Sequence, residues 1–250
     1  MPDIEAVTAA IDGELAAMAQ GVIRSHLDLG DVANRRFLED PDGRDQHQTR
    51  WHQWGILTHT RIFLRHFDST IPDCLREWGL WDSVNTKLRE PIDGASRWQL
   101  LRISILVHDI GKFAVRTRGP TRFHFSRHED LSGSIICHEL DLGRFGLMAA
   151  QIEYIAITAE DHFVLGRVRK RAREVSGYDC AYTRSESFAQ TCRMIKREHP
   201  LDFVEIGVLF LGDSLAKANP GEGPEDALDQ HEINVLVARR YLEQVLESDP

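Results

Sequence analysis

Apolar residues recur at intervals of three and four along most of this chain, the spacing of one helix face. Over residues 4–28 they are Ile4, Val7, Ala10, Ile11, Leu15, Met18, Val22 and Ile23. A second run over about 50–68 holds Trp54, Ile56, Leu57, Ile62, Phe63 and Phe67, and shorter helices are expected within 72–90. Trp98, Leu100, Leu101, Ile103, Ile105 and Leu106 predict a helix that Ser96 caps and that runs to His108. Further helices are expected at about 128–140, 147–162, 200–217 and 229–247. Residues 113–125 break the rhythm. Apolar and polar residues alternate there on both sides of Gly119-Pro120, which predicts a short β-hairpin or an extended loop. Residues 39–49 and 174–185 read as polar, turn-rich connections, and Asn219 to Pro224 breaks the chain. No repeat is visible. The pattern predicts an all-α fold: one domain over 1–250, with its core at 50–217, an N-terminal helical extension over 1–49 and a C-terminal helix over 225–250.

Length and composition add limits. A chain of 250 residues with 42% apolar and 28% charged residues can bury a large core without covalent staples. Its net charge of −9 argues against general nucleic-acid binding. Cys74, Cys137, Cys180 and Cys192 form no CxxC pair and read as reduced thiols of a cytoplasmic protein. Asp3 and Glu5 stand where a signal peptide carries bases, and no 18-residue apolar run occurs, so no membrane span is expected.

The chemistry centres on residues 105–113, Ile-Leu-Val-His-Asp-Ile-Gly-Lys-Phe. His108 and Asp109 place an imidazole beside a carboxylate, a donor set for a first-row divalent metal. On a continued helix Lys112 falls on the same side as both. Partners must come from other helices if a bundle is to build a metal site in its core. His59 sits mid-helix among apolar residues, His128 opens the helix after the hairpin, and His162 ends a long apolar helix. Asp213 lies in Val-Leu-Phe-Leu-Gly-Asp-Ser-Leu, where a carboxylate is costly unless paired or metal-bound. Rivals exist. His52, His59 and His66 are spaced by seven, His124 stands four before His128, and Glu160 and Asp161 adjoin His162. His47 lies in the polar connection and is expected to be solvated. Arg116, Arg118 and Arg122 follow the His-Asp pair, and Arg167 and Lys170 follow His162. These bases read either as a solvated face or as the lining of an anionic-substrate pocket.

The order His59, His108-Asp109, Asp213, with Ile-Gly-Lys after the pair, resembles the HD superfamily of metal-dependent phosphohydrolases. His128 and His162 resemble the added ligands of its two-metal members. The likeness spans roughly residues 50–217. It implies an HD-type helical bundle and two divalent ions (Mn, Fe, Co, Ni, Mg or Zn). His59, His108, Asp109 and Asp213 would hold the first and His128 and His162 the second, with Asp109 as the bridge. It also implies a metal-activated water as nucleophile, Lys112 at a phosphate, and a small phosphorylated substrate such as a nucleotide. The Gly-Tyr-Pro element of the cyclic-dinucleotide phosphodiesterases is absent, and Gly177-Tyr178-Asp179 is only a partial echo. The same ligand order resembles the mixed-valent di-iron oxygenases of this superfamily. A non-catalytic metal-binding sensor is a third reading. The amphipathic C-terminal helix can dock on its own domain or on a second copy.

Overall fold

The computed structural model describes residues 3–119, 122–176 and 181–247; Cys180 and the Gly177-Tyr178-Asp179 echo lie outside them. The N-terminal stripe becomes α1 (Ile4–His26), capped by the Asp3 carboxylate, with Ile4, Val7, Ile11, Leu15, Ala19, Val22 and Ile23 buried. By length and composition alone α1 is apolar enough to cross a membrane, which the absence of a fully apolar run did not suggest. Here its stripe packs on the core. α2 (Val32–Glu39) was not expected, and its single buried residue is Phe37. α3 (Ile56–Asp68), α4 (Thr70–Glu77) and α5 (Trp81–Leu88) follow.

A tight hairpin of β1 (Pro91–Ile92) and β2 (Ala95–Ser96) leads into α6 (Arg97–Val107). Ser96 caps α6 as expected, in a reciprocal pair with Gln99. The expected hairpin after the His-Asp pair is β3 (Thr117–Arg118) against β4 (Phe123–His124). Beyond it come α7 (His128–His138), α8 (Ala149–Asp161), α9 (Val164–Ser176), α10 (Glu186–Glu198), α11 (Phe203–Leu215) and α12 (Glu225–Glu247). Among the described residues the fold is all-α with two short hairpin excursions.

Two helices are buried along most of their length, the mark of a central position. α6 buries Leu100, Leu101 and every residue from Ile103 to Val107, and α11 buries every residue from Val204 to Ser214. α3 packs on both, while α1 and α8 flank α6, and α12 covers α11. The C-terminal ends of these two central helices carry His108-Asp109 and Asp213.

Glycine permits two close approaches near those ends. A Cβ on Gly212 would stand 1.9 Å from the Phe63 ring, so the bare backbone lets α11 close on α3. A Cβ on Gly111 would stand 2.1 Å from the His128 carbonyl oxygen. The Gly111 amide donates to Ser132 Oγ at 3.0 Å, which fixes the turn after Asp109 against α7.

Candidate metal centre

The site is assembled mostly at helix ends. α6 stops at Val107, so His108 and Asp109 follow it directly, ahead of a 3-10 turn over Ile110–Phe113. The last carbonyls of a helix lack intrahelical donors. His108 satisfies one, its Nδ1–H donating to the Ile105 carbonyl at 2.8 Å. His162, just past α8, donates likewise to Ala159 at 2.6 Å. His128 donates to Phe125 at 2.8 Å, and His59 reaches the Ala216 carbonyl beyond α11 at 3.1 Å. A carbonyl only accepts. Each ring therefore carries its proton on Nδ1 and turns an unprotonated Nε2 inward.

All four Nε2 atoms face Asp109. His108 and His59 lie 3.4 and 3.9 Å from Oδ2, and His128 and His162 lie 3.2 and 4.0 Å from Oδ1. Asp213 places Oδ1 at 3.0 Å from His59 Nε2 and Oδ2 at 2.9 Å from Lys217 Nζ. Ring lone pairs directed at carboxylate oxygens repel unless a cation lies between them. His108 Nε2 and Asp109 Oδ1 are buried without a hydrogen-bond partner, a cost that a divalent ion removes. The ligand atoms fit such an ion in two groups, His59–His108–Asp109 and Asp109–His128–His162.

The electrostatics suit ligation. Burial lowers the His108 imidazole to about 3, so it is neutral at pH 7, as a metal ligand must be. Burial works against the Asp109 carboxylate, but the Lys112 ammonium beside it outweighs burial and holds it well below the usual range. For Asp213 the Lys217 ammonium outweighs burial in the same way.

Lys112 does not continue the helix of His108, because α6 has already ended. From the 3-10 turn its buried Nζ still donates to Asp109 Oδ2 at 2.7 Å. It donates also to His47 Nε2 at 3.1 Å. His47 is thus buried, not solvated. Its Nδ1–H donates to the Trp54 carbonyl at 3.1 Å, which leaves Nε2 as the acceptor. The cause lies in the polar connection. Asp42 accepts from the Thr58 amide at 2.8 Å and from its hydroxyl at 2.6 Å, pinning the connection over the start of α3. That start is Ile56 and not residue 50, so His52 precedes the helix and stacks on His47, with ring centroids 3.9 Å apart. His66 accepts from or donates to Thr70 Oγ1 at 2.9 Å and takes no part. The other rivals also turn away. Asp161 pairs with His199, and His124 sits in β4 outside the cavity wall.

A cavity of about 320 Å³ opens onto Asp109, His128, His162 and Asp213. Of the bases expected around a substrate, Lys112 lines it, and Arg116, Arg118, Arg122, Arg167 and Lys170 do not. Arg116 is buried with its guanidinium 3.6 Å from the Phe123 ring centroid and 4.3 Å from that of Phe37. Arg118 and Arg122 are exposed at the hairpin, and Arg167 and Lys170 are exposed on α9. The bases that do line the cavity are Lys112, Arg127, Arg169 and Lys217, with Trp51, His52, Phe125 and Phe163 among the ring-bearing walls. Arg169 differs from its neighbours only in helical phase, which the sequence pattern of a charge-rich helix does not reveal.

No protein-family model matches the chain, and no curated protein matches it either.

Proposed function

We propose that this chain is a metal-dependent phosphohydrolase of the HD type, acting on a phosphoester or phosphoanhydride of a small anionic compound. The observation that supports this most is the convergence of four imidazoles, each anchored through Nδ1, on the two oxygens of one buried carboxylate. In this reading His59, His108, Asp109 and Asp213 hold one divalent ion, and Asp109, His128 and His162 hold a second. The mixed nitrogen and oxygen donors suit Mn, Fe, Co, Ni or Zn better than an all-oxygen ion such as Mg. When bound, the pair lowers the pKa of a water and offsets charge on phosphoryl oxygens.

The chain's own groups supply orientation and field. Lys112 spends two of its three N–H bonds on Asp109 and His47, which leaves one for an anion in the cavity. It also keeps the bridging carboxylate ionised. Arg127, Arg169 and Lys217 make the mouth attractive to a phosphorylated ligand despite the net negative charge. Trp51, Phe125 and Phe163 restrict water around the reacting group.

Metal counting tests the proposal. Stripped protein is reloaded with Mn2+, Co2+, Ni2+ or Fe2+ and given bis-p-nitrophenyl phosphate and a panel of nucleoside phosphates. Asp109→Ala is expected to bind two equivalents fewer than the parent and His162→Ala one fewer, with phosphate ester cleavage lost in both. Equal metal content in Asp109→Ala and the parent overturns the bridge. A mixed-valence di-iron signal with oxygen uptake and no ester cleavage replaces hydrolysis by oxidation.

A further inference from the structure

A second ligand cluster stands apart from the cavity. Asp161 ends α8, His199 follows α10 and Asp202 precedes α11. His199 Nδ1 lies 2.7 Å from Asp161 Oδ2 and 3.9 Å from Asp202 Oδ1. One ligand atom from each residue falls within 4.8 Å of the others. Neither His199 nor Asp202 lines the cavity at Asp109. Asp161 adjoins His162, yet its carboxylate is bonded to His199 and not turned to that centre.

The cluster is short of positive charge. It sets two carboxyls against one imidazole, and among the described residues no lysine or arginine forms an ion pair with either acid. Asp202 is 2% exposed and its Oδ2 has no hydrogen-bond partner. Burial first, then Asp161 and Glu205, push its carboxyl up to about 8. An oxygen buried without a partner carries a desolvation cost, and a bound cation displacing the carboxyl proton removes it.

We infer that Asp161, His199 and Asp202 form a separate divalent-cation site with one nitrogen and two carboxylate ligands, open to water on the side where Asp161 and His199 are partly exposed. Zinc or manganese suits that donor set. On binding, His199 presents Nδ1 to the ion with its ring proton on Nε2, and any proton held by Asp161 or Asp202 passes to water, so no other co-reactant is needed. The ion ties together the ends of α8, α10 and α11. α8 leads directly to His162 and α11 carries Asp213, so the site is a brace behind the proposed catalytic centre. It does not rest on the phosphohydrolase reading.

The test is zinc or manganese titration of the full, metal-stripped chain by calorimetry, with the metal alone as probe. The parent is expected to bind one equivalent more than His199→Ala and one more than the near-isosteric Asp202→Asn. Asp109→Ala is expected to keep that equivalent, and zinc at a hundredfold excess over Kd should raise its melting midpoint by roughly 5–10 °C. The gain should vanish in the Asp109→Ala, Asp202→Asn double variant. Identical stoichiometry in the parent, His199→Ala and Asp202→Asn overturns the site and leaves a plain His199–Asp161 ion pair. A parent protein that binds the extra equivalent but none that Asp109→Ala removes defeats the proposed function and not this inference.

Discussion

Gly111→Ala probes how Asp109 and His128 are brought together. Gly111 does not have a left-handed backbone, so its role is one of space. An added Cβ would meet the His128 carbonyl oxygen at 2.1 Å and the Ser132 amide nitrogen at 2.8 Å. Ordinary contact begins near 3.4 Å, so the turn and α7 must part by about 1.3 Å. Both obstacles are backbone, and no rotamer change relieves them. Overpacking of this kind costs roughly 3 kcal/mol. The reduced freedom of the unfolded chain returns about 0.4–1 kcal/mol. The net loss of about 2 kcal/mol predicts a melting midpoint lower by roughly 4–8 °C. Separation also draws His128 from Asp109, now 3.2 Å apart, so metal held on that side should weaken by roughly 10-fold or more. Calorimetric melting and metal titration read the two effects. Gly13→Ala is the control, on the exposed face of α1 with nothing within 4 Å of the new Cβ, and should gain about 0.5–1 kcal/mol. A Gly111→Ala protein that melts within about 1 °C of the parent and binds metal equally would refute the close approach as the reason for glycine.

Two further outcomes follow from the buried histidines. Lys112→Met should lower ester cleavage about 100-fold, and His47→Leu should lower it by less. Because His47 acts through Lys112, the double variant should match Lys112→Met alone, and additive losses in the kinetic cycle would reject that chain of contacts. His52 is pushed well below its ordinary 6.5 by burial and then by His47 and Lys112. Its unfolded form therefore binds a proton that its folded form refuses, and stability present above about pH 6.5 is lost as pH falls. In chelator, the parent should lose more melting temperature between pH 6.5 and about 5 than His52→Phe does, and parallel curves would contradict it.

Much of the candidate centre was legible because His59, His108-Asp109, His162 and Asp213 break strong local patterns. Asp213 interrupts the apolar run that begins at Ile206, and His108-Asp109 closes another. Such residues declare themselves by the cost of burying them. The convergence on Asp109 was carried by order along the chain and by resemblance, and it required α6, α7 and α8 to end or begin where the ligands stand. His47 was illegible for a different reason. Nothing local distinguishes it from a solvated loop residue. Its burial depends on Asp42 gripping Thr58, sixteen positions away, and its partner Lys112 is sixty-five positions away. The pocket bases failed similarly. Charge along α9 says that an arginine is present, whereas the phase of one helix decides that Arg169 and not Arg167 faces the cavity. Arg116 was claimed by Phe37 and Phe123, whose rings offer a guanidinium a buried surface before any substrate can. The division has one physical root. A ligand buried in an apolar helix carries its cost in its immediate neighbours, while a residue that serves the site from a loop or a charged surface acquires its role only from contacts made after folding.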